Sequence, residues 1–299
     1  MLSENHNKIS NAACLLSEHE HLFICPICSS PMEVINYRSL VCSNHHCFDI
    51  SKQGYVNLLS RSPKTKYDKK LFESRKIIFA NGLFDPMITS IWENMRAELK
   101  PTRDLIRILD AGCGEGSFLY NIQQRIAEKS KCNLLGVGID ISKEGIMIAS
   151  RGSSESIWCV ADLARCPFAD KQFNFMLNIL SPSNYSEFSR VLADDGLMIK
   201  VIPERKYLQE LRGSFYQQTD RNVYSNKNTI ALFQQHFELV DLQHVCYGVT
   251  LDHEIIEPLI RMTPLSWGAL KERIADVLGK SKVEITFDFT VLMGKKMNK

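Results

Sequence analysis

The chain has 299 residues, 44% hydrophobic and 23% charged, and these ordinary globular values exclude a disordered or fibrous protein. No run approaches eighteen apolar residues, and the opening MLSENHNKIS lacks a basic start followed by an apolar stretch, so neither a membrane span nor a secretory signal is expected. The net charge of +2 (36 Lys and Arg against 34 Asp and Glu) is no general nucleic-acid signature, and ten cysteines without export point to metal ligation in the cytoplasm rather than disulfides.

Residues 1–20 are polar and without period, and read as a flexible extension. Four of the ten cysteines then fall between Cys25 and Cys47, inside a segment, 21–60, with few apolar residues and need of a staple. Cys25-Pro26-Ile27-Cys28 is a knuckle whose two thiolates can bind one metal. Cys42 follows after thirteen residues, and a tetrahedral Zn²⁺ then needs one more ligand from His45, His46 or Cys47. No open coordination position is evident, so the site reads as structural. From 61 to 76 the run RSPKTKYDKKLFESRK carries seven basic and two acidic side chains, a patch suited to phosphates, with Tyr55, Tyr67 and Arg75 as stacking candidates for bases. The segment 61–99 reads as a basic and helical linker, interrupted at Gly82, with a second helix over 86–99.

Residues 100–299 alternate short apolar runs with helical patterns, which indicates parallel βαβ units in a doubly wound α/β domain. The runs LIRILDAG, NLLGVGID (133–140), FNFMLNIL (173–180) and GLMIKVIP (196–203) read as strands, with helices near 117–130, 143–151 and 184–193. FELVDLQHVCYGVTL and VEITFDFTVLMG read as two more strands around a helix at 253–262. The first strand runs into Asp110-Ala111-Gly112-Cys113-Gly114-Glu115-Gly116, where glycines at alternate positions allow a sharp turn and close approach of a ligand. The spacing G-x-G-x-G differs from the dinucleotide fingerprint. It suits S-adenosylmethionine, which carries an amine for Asp110, ribose hydroxyls for Asp140 and an adenine amino group for Asp162. Singly these features also fit a tight turn and helix N-caps; in order at three successive strand ends they point to the cofactor.

CPIC…CSNHHCFDISKQGYVNLL, the basic linker, DAGCGEG, GIDISK and PERKYLQELRG together resemble the RlmA-type 23S rRNA guanine-N1 methyltransferases, from about residue 22 to the C-terminus. LNILSPSNYSEFSRVL resembles the Gram-positive branch, which includes macrolide-resistance enzymes. The resemblance implies a class I (Rossmann-like) S-adenosylmethionine-dependent methyltransferase with a seven-stranded sheet whose last strand is reversed, preceded by a small zinc-binding module that recognises RNA. It implies Cys25, Cys28, Cys42 and His46 as zinc ligands, with Cys47 the rival for the last place. It adds Phe84, in the turn Gly82-Leu83-Phe84-Asp85-Pro86, Gly116, Ser117 and Tyr207 to the cofactor site, beside Gly112 and Gly114. It also implies a homodimer on a 23S rRNA hairpin of domain II, with no DNA or membrane partner. Asn178, Ser181 and the Pro182 carbonyl lie after the fourth strand, where such enzymes present the methyl acceptor; the same residues also fit a capped loop before a helix at Asn184. A methyltransferase of another RNA or of a small molecule, and a non-catalytic rRNA-binding assembly factor, are the rival readings.

Overall fold

The computed structural model describes residues 2–61, 67–99, 104–130, 132–216 and 226–297, with side chains from residue 9 onward. The chain opens with helix α1 (Leu2–Glu18) and a three-stranded antiparallel sheet, β1 (Met32–Ile35), β2 (Ser39–Cys42) and β3 (Cys47–Asp49). Strand β4 (Tyr55–Asn57) and helices α2 (Lys69–Ala80) and α3 (Asp85–Glu98) follow. Alternation then sets in: β5 (Leu105–Ala111), α4 (Ser117–Lys129), β6 (Asn133–Asp140), α5 (Lys143–Gly152), β7 (Ser156–Val160), β8 (Phe173–Ile179), α6 (Tyr185–Val191) and β9 (Leu192–Pro203). The C-terminal part holds α7 (Gln209–Phe215), α8 (Lys227–Gln234), β10 (Phe237–Asp252), α9 (His253–Met262), α10 (Lys271–Leu278) and β11 (Lys282–Lys296). None of the described helices is long and apolar enough to cross a membrane.

The large sheet runs β10-β11-β9-β8-β5-β6-β7-β4. From β9 through β4 every neighbour is parallel, whereas β11 is antiparallel to both β9 and β10. The reversed last strand is therefore present, but the sheet has eight strands where seven are expected. The extra one is β4, whose Val56 is paired with Cys159 of β7. Tyr55, expected as a base-stacking ring, is consequently buried at 5% exposure. Central strands carry near-continuous apolar runs because helices cover both faces; β7 is buried at all five of its residues.

Within the segment 1–20, expected as an extension, Leu2–Glu18 instead form α1, which buries Ala12, Ala13 and Leu16. Their spacing at i, i+1 and i+4 makes a narrow apolar stripe, easily missed among polar neighbours. One continuous core joins this helix and the small sheet to the large one: Leu16, Phe23, Met32 and Leu40 pack in the same cluster as Val137, Ile139, Phe168 and Phe173. Phe168 is the hinge of that junction, its ring centroid 5.3 Å from Phe23 and 5.0 Å from Phe173. The basic run at 61–76 falls partly outside the described residues, which resume at Tyr67. Phe168→Ala should cost about 3–5 kcal/mol of stability through loss of burial and the cavity left behind, measured as a lowered denaturant midpoint with an unchanged slope.

Candidate active site

Strand β5 delivers Asp110 and Ala111 to its C-terminal end, and the glycine loop turns there into α4. Gly112 has φ 89° and Gly116 φ 82°, in the left-handed region that favours glycine. Space requires glycine too: a Cβ at Gly116 would stand 2.5 Å from the Trp158 ring, and one at Gly112 would collide with the Ser181 hydroxyl. Strand β6 staples the loop from below. The Ile139 carbonyl accepts from the Gly112 and Cys113 amides at 2.8 and 3.0 Å. Asp140 accepts from the Gly114 amide at 2.9 Å through Oδ2 and from the Ser142 amide at 2.7 Å through Oδ1. Ser142 then caps α5, as its position before the helix suggests.

Three carboxyl groups surround this loop. Asp110 is buried, and its Oδ2 has no hydrogen-bond partner among the described residues. Burial above all, with Asp140 and Glu115 adding like charge, pushes its carboxyl up to about 8. Glu115 is buried as well and raised by the same desolvation. Asp140 is raised by burial and partly restored by its backbone amides. Leaving a buried carboxyl oxygen unpaired costs about 1–3 kcal/mol, so the site favours whatever brings a donor to Asp110. Opposite stands Arg75 of α2, with Nε 3.8 Å from Glu115 Oε2. Arg75 thus faces inward over the loop, and its expected role as a ring partner for RNA bases is corrected.

The other proposed cofactor residues are more scattered. Asp162 is exposed, and its Oδ1 accepts from the Ala164 amide at 2.8 Å as the cap of a short 3-10 turn. Ser117 begins α4 directly behind Gly116. Phe84 is only 1% exposed, its ring enclosed by Phe79, Phe118, Phe287 and Phe289. It supports the first turn of α4 from behind and presents no open face. Tyr207 is half-buried, 5.0 Å from the Phe289 ring, and burial pushes its phenol up to about 12.

At the end of β8, Asn178 is fully buried. Its Nδ2 donates to the Ala111 carbonyl at 2.7 Å and the Pro182 carbonyl at 3.0 Å, while Oδ1 accepts from Ser183 Oγ at 2.8 Å. Lys200, its neighbour on β9, donates to both Asn178 Oδ1 and the Ser181 carbonyl at 2.5 Å. Burial lowers the Lys200 amine to about 8. The expectation that Asn178 holds a substrate edge is therefore corrected: its amide is spent on the loop's own backbone. Ser181 is half-buried and Pro182 exposed, so these two remain at the surface. Asn184 caps α6 by accepting from the Glu187 amide at 3.3 Å. Sequence reasoning passed over Lys200 and Glu115; the visible signals were a lysine inside the apolar run GLMIKVIP and an acid within the glycine loop.

In the N-terminal sheet, Cys25, Cys28, Cys42 and His46 converge, with every pair of ligand atoms within 4.8 Å. His46 Nδ1 lies 3.5 Å from Cys25 Sγ and 3.4 Å from Cys42 Sγ, and the Cys28 and Cys42 sulfurs are 3.7 Å apart. A tetrahedron with Zn–S bonds of ~2.3 Å has S···S edges of ~3.8 Å, so the donor set fits zinc and is closed. The choice of His46 follows from local geometry. His45 takes φ 62° and its amide donates to the Cys42 carbonyl at 2.8 Å, turning the chain so that His46 comes back beside Cys42. Cys47 begins β3, is exposed and points to Asp49, so the rival ligand lies outside the cluster.

Comparison with known proteins agrees with this anatomy. The family model described as RlmA, N-terminal, a zinc ribbon, matches residues 23–65, and a methyltransferase-domain model matches residues 108–196. The Bacillus subtilis (strain 168) protein YxjB, provisionally named a 23S rRNA (guanine-N(1)-)-methyltransferase, is 42% identical over 92% of this chain and 97% of its own length. The 23S rRNA (guanine(748)-N(1))-methyltransferase of Streptomyces fradiae is 28% identical over 89% of this chain and 95% of its own. With its zinc ribbon, its reversed-strand methyltransferase sheet and a 42% identical relative matched over 92% of the chain, this protein belongs to the RlmA-type 23S rRNA guanine-N1 methyltransferase family.

Proposed function

We propose that the chain transfers the methyl group of S-adenosylmethionine to N1 of a guanine in a 23S rRNA hairpin of domain II. The observation that carries this reading is one sheet that joins the acid-lined glycine loop to the zinc ribbon. Strands β5 and β6 frame the acid-lined glycine loop, while β4 ties the zinc ribbon to the other edge. A small-molecule enzyme has no use for the second part. In this reading Cys25, Cys28, Cys42 and His46 hold Zn²⁺ as a structural ion, the protein works in the cytoplasm, and two copies flank the RNA.

The bound cofactor supplies a methyl already activated on a sulfonium. The protein contributes position, and alignment of reacting atoms is worth several kcal/mol of barrier. Asp110, at the lip of β5, accepts from the cofactor's amine and so satisfies its orphaned oxygen. Asp140 keeps its loop amides and, with about four lone-pair sites on a carboxylate, also accepts from the ribose hydroxyls. Asp162, exposed past β7, reaches the adenine, and Gly112, Gly114, Gly116 and Ser117 give the backbone surface along which the ligand lies. Tyr207 supplies an aromatic wall beside it, and Phe84 acts indirectly by packing against Phe118 of α4 and Phe289. Ser181 and the Pro182 carbonyl, held by Asn178 and Lys200, present donors and acceptors to the guanine. Guanine N1 lies on the pairing edge, so the base must leave its helix to react. With the base held by Ser181 and the Pro182 carbonyl, the N1–C bond would form as the C–S bond breaks, and the N1 proton would pass to solvent.

Primer extension on a 23S rRNA transcript tests the reading, because a methyl on N1 stops reverse transcriptase beside the modified base. A stop in the domain II hairpin that requires both protein and S-adenosylmethionine is expected; no stop, with cofactor binding intact, contradicts it. Chelating the zinc should abolish methylation of RNA while calorimetric binding of S-adenosylmethionine persists. Unchanged methylation by zinc-free protein would separate the ribbon from substrate recognition.

A further inference from the structure

Helix α2 lies across the glycine loop, its start fixed by Asp68, which accepts from the Leu71 amide at 2.8 Å. Phe72 and Arg75, one turn apart on one face of this helix, both point at the loop. The Phe72 ring fills the space beside Gly114 and Gly145: a Cβ at either glycine would come within 3.3 or 2.9 Å of it. Arg75 Nη1 stands 2.9 Å from where a Gly114 Cβ would be. Phe72 thus fixes the helix, and Arg75 hangs over the loop with 21% of its side chain exposed.

A guanidinium has five donors in a planar fork. Among the described residues that of Arg75 makes no hydrogen bond, and its ion pair with Glu115, at 3.8 Å, is longer than a hydrogen bond. Its positive charge partly offsets the upward push of burial on Asp110, Glu115, Asp140 and Tyr207. The amino-acid end of S-adenosylmethionine is a zwitterion. Its amine is provided for by Asp110, and a second group of opposite sign is needed within a few ångströms for the carboxylate.

We infer that Arg75 receives the α-carboxylate of the cofactor, in a two-pronged contact made from the helix that precedes the catalytic sheet. The inference rests on the cofactor site proposed above. It makes Arg75 a cofactor-binding residue rather than part of the RNA-binding run in which it falls by sequence. It also makes the site selective for ligands that retain the carboxylate.

Calorimetric titration of S-adenosylmethionine and of decarboxylated S-adenosylmethionine, into the wild-type chain and Arg75→Met, tests this. The variant should bind S-adenosylmethionine roughly 10- to 100-fold more weakly, the worth of a charge-assisted pair, and the decarboxylated ligand as well as the wild type does. Arg75→Lys, which keeps the charge but not the fork, should fall between on the first ligand and match the wild type on the second. It also serves if Arg75→Met does not fold. Equal weakening for both ligands would mean that Arg75 acts by shaping the loop, and no weakening for either would remove it from the site; each result overturns the inference. Failure of the wild type to bind S-adenosylmethionine would instead strike the proposed function.

Discussion

The Asp140 carboxylate is the joint on which the site depends. One oxygen holds the Gly114 amide and the other the Ser142 amide, so a single side chain at the end of β6 sets both the glycine loop and the start of α5. That arrangement places a negative charge in a poorly solvated corner, beside Asp110 and Glu115. Like charges a few ångströms apart, removed from water, resist ionisation together. Before a ligand binds, Asp110 is therefore largely protonated near neutrality, its carboxyl lifted to about 8. A ligand carrying a cationic amine relieves this strain, whereas an anion at the same lip adds to it. The charge of the loop thus favours a cationic group at this lip over an anionic one, beyond its glycine spacing.

The same economy governs the wider architecture. A zinc ribbon of this size has too little apolar surface for independent stability, and here the deficit is met twice. A closed set of four ligands cross-links the turns, and the apolar side of the ribbon merges with the core beneath β6 and β7. Strand β4 adds backbone pairing to that contact. The ribbon is accordingly part of the same body as the methyltransferase sheet.

Much of this was legible in the sequence. The strands β5, β6 and β8 follow unbroken apolar runs, which length and flanking glycines identify, and α5 begins where its capping Ser142 places it. The glycine loop was legible because its conformation excludes other residues. What escaped depends on long-range placement. The three-residue strand β4 has no period to detect and exists through its partner β7. Asn178 carries the polar side chain a substrate pocket needs, but only the fold reveals that Ala111 and Pro182 already claim its amide. His46 and Cys47 are equivalent by spacing, and a left-handed turn at His45 separates them. Arg75 sits in a charge run that reads as solvated until α2 is docked on Gly114.

The central claim is that Asp110 is kept protonated until the cofactor's amine arrives, and proton release on binding measures it directly. Titrating S-adenosylmethionine into the protein at pH 7, in buffers of different ionisation enthalpy, counts the protons exchanged. Asp110 enters that titration mostly protonated, with its carboxyl at about 8, and must ionise to pair with an amine. The account predicts net proton release at pH 7, tighter binding as pH rises toward 8, and loss of most of the release in Asp110→Asn. Proton uptake, or binding with no exchange at pH 7, would contradict it.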